Sequence, residues 1–331
     1  TDQNVKVRLL PFVVSSGQAY IIEFGDNTLR FFKDNGPILN AGVLYEIATP
    51  WATADLDALV VAQIEDIMYI VHPAYPMHKL SHFSDISWTI TQPELVDGPY
   101  LEINTTSTTL VGTASSGSIT ITASAPIFAG TDVGRSVRAF DVGTAQWGWA
   151  LITTFTDISN VVATVKGGVF PTATSPSVAT KNWRMGVFGS VSSLGYPQMV
   201  TIIQQRLCLG RNVKKPDTLW FSEPDKYTTF SPTPLKAPAA ATDPPLIALD
   251  TNGITVTLAS QRENAIRWLV PKRSALWVGT AGSVWSLPSK AIATPTLIPM
   301  TGIIEESIGS APNIPPMLIR SAKLRSGRWS R

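Results

Sequence analysis

The sequence predicts an all-β protein: β-propeller-like repeated blades, an inserted small β-barrel or sandwich, and an N-terminal hairpin platform. Three observations predict it. A supersecondary unit recurs at residues 60–80, 200–222 and 266–287, each time an apolar strand, a short polar turn and a second strand carrying hydroxyl, aromatic or basic residues. Composition agrees: 25 prolines and 23 glycines among 331 residues dictate frequent turns and short strands. Between the first two copies lies a Thr/Ser-rich stretch of different composition. A unit that recurs with pattern rather than identity points to a radial or linear array.

The elements follow in order. Residues 19–24 and 28–32 alternate as strands, and Gly25-Asp26-Asn27 between them supplies turn residues that tolerate positive φ. Asp34-Asn35-Gly36-Pro37 ends the second strand. Residues 53–59 predict a short helix, with Thr53 or Asp55 as its cap and acids in the first turn, where the helix dipole favours them. It leads into the first copy of the unit. The platform and first blade together occupy residues 1–100.

The inserted β-domain is expected over 101–187, with strands at 119–121, 137–140, 147–152 and 161–165. Subtracting it leaves the first two copies roughly 55 residues apart, and the second and third begin 66 apart, from Val200 to Ile266, compatible with blades of about 40–50 residues carrying long loops. Further blades are expected over 188–310. The segment 232–245 carries five prolines, which cannot donate to a ladder, and reads as a loop between blades. Residues 311–331 form a divergent tail in which Arg320, Lys323, Arg325, Arg328 and Arg331 occur without an acid; such runs are usually solvated.

Charge and cysteine content exclude several classes. Charged residues are only 15%, against a globular norm of about 25%. That sparseness suits a surface partly covered by other subunits or, less well, an ordinary extracellular β-protein with a Thr/Ser-rich surface. The formal net charge of +2 gives no general argument for nucleic-acid binding. The single cysteine, Cys208, lies in an apolar strand and reads as a small buried hydrophobe. No apolar run is long enough to span a membrane as a helix, and the opening residues are not a signal peptide. The absence of an initiating Met leads us to expect a processed chain or a piece of a longer one.

Catalytic signatures are missing from the sequence: no P-loop, dinucleotide fingerprint, paired-cysteine zinc motif or nucleophile elbow. His72, His78 and His82 cluster with Tyr75 and Asp85. They read either as a metal or acid–base site or as turn histidines bonding locally, and their spacing matches no standard metal signature. The carboxylates Glu65, Asp66, Glu94, Asp97, Glu102, Glu223, Asp225, Glu305 and Glu306 are scattered, and none pairs by sequence as glycoside hydrolysis requires. Trp147 and Trp149 fall on one strand face, as a sugar or base platform or as packing for a barrel. Trp220, Trp277 and Trp285 are expected to pack blades. No catalytic, cofactor-binding or metal-binding residue is assigned.

The chain resembles the tail nozzle, or tail hub, proteins of short-tailed bacteriophages. The resemblance begins at Arg8-Leu-Leu-Pro-Phe12, Ala19-Tyr-Ile-Ile-Glu-Phe-Gly-Asp26 and Tyr45-Glu-Ile-Ala-Thr-Pro50. It continues at Met68-Tyr-Ile-Val-His-Pro73, Asp132-Val-Gly-Arg135, Trp147-Gly-Trp-Ala150, Gln204-Gln-Arg-Leu207 and Val278-Gly-Thr-Ala-Gly282, covering most of residues 7–310. It implies a virion tail protein assembled in the bacterial cytoplasm. It implies a homo-oligomeric ring, typically a hexamer, that contacts a tail adaptor and fibre, spike or needle proteins and lets duplex DNA pass transiently and without sequence specificity. It transfers no catalytic residues and no cofactor. The chain departs from the family after Ser307-Ile-Gly-Ser-Ala-Pro312, where a truncated or reduced propeller, or one completed by another chain, is expected. Two other classes stay open: a carbohydrate-binding or carbohydrate-cleaving tailspike-like protein, and an adhesive or scaffold propeller.

Overall fold

The computed structural model describes residues 6–174, 176–236, 248–259, 265–295 and 303–306. Residues 237–245 of the Pro-rich segment and the basic tail, 311–331, lie outside the described residues. The fold is all-β. Its frame is an N-terminal sheet followed by three four-stranded antiparallel meanders. The N-terminal sheet comprises Arg8–Ser15, Gln18–Gly25, Thr28–Lys33 and Gly36–Pro37, with Glu46–Ala48 also paired to the third strand.

Each recurrent unit of the sequence becomes the first three strands of one meander. The first meander runs Val60–Ile64, Ile67–His72, Tyr75–Ser84 and Ser87–Thr91. The second runs Met199–Ile203, Arg206–Gly210, Thr218–Phe221 and Ile254–Thr257, and the third Ile266–Pro271, Ala275–Thr280, Val284–Pro288 and Ile303–Glu306. The opening hairpin of the second meander turns on Gln204-Gln205, both at positive φ (49° and 57°). That conformation suits Asn or Gly far better, so the turn is strained by its sequence and held by the strands it joins.

The sheets stack face to face because successive side chains point to opposite faces. Met68 and Ile70 join Phe12, Tyr20, Phe24, Phe31 and Trp88 in a core shared with the N-terminal sheet. Tyr69 and Val71, one residue out of phase, join Leu207, Leu209 and Trp220 in a core shared with the second meander. Cys208, Leu219 and Phe221 then face Ile266, Leu276, Val278 and Trp285 of the third. Each core therefore lies between sheets. Fully burying one such side chain stabilises by about 1.5–3 kcal/mol. The first strands of the meanders are neighbours, with Met199–Ile203 lying against both Val60–Ile64 and Ile266–Pro271.

Trp220 and Trp285 occupy these shared cores as the repeat predicts. Trp277 does not. It points away from Leu276 and Val278, is half-buried, and lies under the Lys272 ammonium at 4.8 Å from the ring centroid. Odd and even residues of one strand cannot reach the same core.

The stretch 53–59 forms a 3₁₀ turn, Thr53–Ala58, rather than an α-helix. Asp55 caps it by accepting the Ala52 N–H at 3.0 Å. The Arg8 guanidinium caps its far end, donating to the Leu56 carbonyl at 2.8 Å and to the Leu59 carbonyl at 2.5 Å.

The inserted segment forms a curled six-stranded sheet in the order Leu110–Gly112, Ser118–Ala123, Asn160–Gly168, Gln146–Asp157, Ser136–Asp141, Trp183–Met185. All four strands read from the sequence here are present. Curling brings the first strand back toward the last: Leu110 exchanges backbone hydrogen bonds of 2.8 and 2.9 Å with Thr180. The concave side holds a core of Ile119, Ile121, Val137, Ile152, Val161 and Phe170, among others. Among the described residues no helix is long and apolar enough to cross a membrane.

Candidate functional site

The three histidines separate into different local environments. His72 accepts the Ala74 N–H on Nδ1 at 3.0 Å and sits 3.7 Å from Asp55, to which Tyr75 donates at 2.9 Å. His78 bonds the Pro76 carbonyl at 2.8 Å and lies edge-on to Trp51. Burial lowers the pKa of both rings. His82 bridges two sheets: Nδ1 is 3.1 Å from Asp66 and Nε2 is 3.1 Å from the Tyr20 hydroxyl. Tyr20 donates in turn to Asp85, which also holds the Lys33 ammonium at 3.0 Å. These last two bonds keep the Asp85 carboxyl below the ordinary carboxylate range. The polar chain clamps the N-terminal sheet to the first meander. Among the described residues, no group of three or more His, Cys, Asp or Glu side chains has metal-holding geometry.

Trp147 and Trp149 share the convex face of the inserted sheet, and both are buried, at 0% and 4% exposure. Trp147 packs against Phe140, and the Arg138 guanidinium stands 4.8 Å from its ring centroid. The chain after Phe230 covers this face: the Trp147 backbone N–H donates to the Leu235 carbonyl at 2.7 Å, and Leu235 packs against Phe140 and Trp147. A ligand finds no open aromatic surface at this pair.

Arg138 belongs to a buried junction that sequence reading missed. It faces Asp97 at 3.2 Å and donates to the Thr233 carbonyl at 2.7 Å, while Tyr100 donates to Asp97 at 2.8 Å. Burial raises the Asp97 carboxyl, and Arg138 opposes that shift. Burial likewise draws the neighbouring Arg184 down to about 10. The network ties the inserted sheet to chain from both flanking meanders. Its role is positional. An arginine in a strand reads as solvent-facing, so its sequence gave no signal.

A cleft of about 350 Å³ opens between the first meander and the inserted sheet, lined by Met77, Leu95, Pro99, Phe188, Tyr196 and Pro197, among others. Glu94 is the one carboxylate in its lining, and Lys166 engages it at 2.9 Å. Glu102 and Glu223 are held by Lys215 and Lys226. The facing carboxylate pair that glycoside hydrolysis needs is therefore not assembled in this cleft.

The N-terminal sheet offers a different kind of site. Its inner face supplies the first shared core. On its outer face Leu9 pairs with Glu23, Pro11 with Ile21, Val13 with Ala19, and Ile21 with Phe32. Leu9, Val13 and Ile21 are 58%, 53% and 43% exposed. Arg30, paired with Glu23 and Glu46, bounds this apolar surface. Beside it projects a two-stranded arm, Leu39–Asn40 paired with Val43–Leu44, turning on Ala41 and Gly42 at positive φ. Residues 39–43 are all exposed and none is charged. A contiguous apolar surface of this kind marks an interaction site more often than a catalytic one.

No family model matches the chain, and no curated protein matches it. Among solved structures it is similar to Kluyveromyces lactis Hsv2 with complete loop 6CD, at 7% identity and a TM-score of 0.27, over 90% of this chain. The chain spans 62% of that structure's length. A likeness at this level carries no argument about fold or function.

Proposed function

We propose that this chain is a structural subunit of a short phage-like tail, assembling with copies of itself into a nozzle or hub ring. The observation that carries the reading is the outer face of the N-terminal sheet: an apolar surface left bare in a chain whose meanders bury apolar side chains between sheets. The ordered sequence resemblance over residues 7–310 supplies the tail context. The low charge supports it too, because each Lys or Arg contact to phosphate raises affinity, and a conduit must release DNA rather than retain it. On this reading the chemistry is architectural. The meanders give a rigid frame, the inserted sheet is fixed to it by the Arg138 junction, and the adaptor and fibre or spike proteins dock on outer surfaces.

Mass photometry of the purified full chain, with negative-stain imaging of the same sample, tests the proposal. Closed rings with a central hole wide enough for duplex DNA are expected. A strict monomer at every accessible concentration, with and without a tail adaptor, would sink it.

A further inference from the structure

The geometry points to a heterologous contact between copies, in which the Leu39–Leu44 arm of one subunit lies on the outer face of the next subunit's N-terminal sheet. This rests on the assembly reading and specifies its interface.

Three features select a second copy of this chain as the occupant. The first is chemical match. The face presents Leu9, Pro11, Val13, Ala19 and Ile21, while the arm presents Leu39 and Val43, 51% and 69% exposed, with only Asn40, Ala41 and Gly42 between them. Neither surface carries a charge at its centre, so an anionic partner such as nucleic acid finds no cation there. The second is that the arm cannot satisfy itself. Its base is tied to the sheet, with the Ile38 N–H donating to Phe31 and the Tyr45 N–H donating to Ile38 at 2.8 and 2.9 Å, and Ile38 is buried there. The tip is left projecting with its apolar side chains in solvent.

The third is that the neighbouring sheet edge is closed, which leaves the face as the contact. Pro11 sits in the middle of the edge strand Arg8–Ser15 and has no N–H. The Gln63 carboxamide satisfies Val13 on both sides: its oxygen accepts the Val13 N–H at 3.0 Å and its nitrogen donates to the Val13 carbonyl at 2.7 Å. A partner strand cannot extend the ladder there. On the ring reading each arm lies on the face of the next subunit, a heterologous contact that closes when the rotation between neighbours does, whereas a reciprocal exchange of arms would give a two-fold dimer.

The test uses three variants of the full chain: Val43→Glu on the arm, Val13→Lys on the face, and the two combined. Thermal melts confirm folding, since both sites are exposed. Oligomer dissociation is followed by mass photometry and sedimentation velocity. Each single change is expected to weaken association by at least about tenfold, equivalent to about 1.4 kcal/mol. The double variant is expected to recover much of it, because every interface then apposes one Glu to one Lys. An oligomer that ignores both single changes, or a double variant no better than the singles, overturns the contact while leaving assembly itself intact. A parent chain that never associates overturns both.

Discussion

The second meander and the N-terminal sheet are built alike, from short antiparallel strands with apolar residues at most positions, yet they are buried differently. Every residue of Arg206–Gly210 and Thr218–Phe221 is buried, because sheets cover both faces. Arg8–Ser15 alternates, with Phe12 inside and Leu9, Pro11 and Val13 in solvent. The difference teaches that an apolar strand in this chain is a request for a neighbour. The second meander finds one on each face within the chain, and the N-terminal sheet finds one on its inner face alone.

Replacing Trp220 with Ala breaks the covered side of the comparison. It empties the core between the first and second meanders and is expected to cost about 3–5 kcal/mol, read as a lower denaturant midpoint. A cost below about 1 kcal/mol would mean that these faces are not packed as described.

Acidification probes the junction between the two regions. His72 and His78 lie on the first meander, and burial lowers the pKa of both. The unfolded chain takes up their protons first, near the ordinary value of about 6.5. Stability from the neutral rings is therefore complete above that pH and is lost as the pH falls through it. A stability profile between about pH 7.5 and about pH 5.5 should slope downward toward acid, and a His72→Asn/His78→Asn double variant should flatten it. An unchanged slope would assign the acid sensitivity to other groups.

The smallest effect is expected on the bare side. Changing Leu9 to Ser removes an exposed side chain and should shift unfolding of the monomer by less than about 0.5 kcal/mol, measured by denaturant titration. A larger loss would show that Leu9 is packed within its own chain, and the contrast between the two regions would fail.

The sequence made the recurrent strands and the four inserted strands legible because both rest on local alternation and turn residues. It could not show which apolar faces stay bare, since Arg8-Leu-Leu-Pro-Phe12 reads like a strand covered on both sides. Periodicity placed Trp147 and Trp149 on one face, but what covers them arrives from residues 230–235, far along the chain. The clamp through Tyr20, His82 and Asp85 was hidden for the same reason, as Tyr20 stands more than sixty residues from both of the others. Asp85 lies beside the histidines in sequence, but its link to His82 runs through a tyrosine of another sheet. Arg206 defeated reading by type: it is buried and donates to the carbonyls of Ser222, Asp250 and Asn252, where an arginine is expected in solvent.

The cores that lie between sheets also set an order of events on the ribosome. The first can close once Trp88 has emerged, because all its buried members precede that residue. The second must wait for Trp220 and Phe230, and thus for translation of the whole inserted sheet. During that interval Tyr69, Val71 and Met77 have no partner surface, while the insert, whose own core is internal, can fold beside them. Synthesis therefore divides this protein into an early unit, a middle whose concave core is made of its own residues, and a late part that covers Trp147 and completes a face made long before.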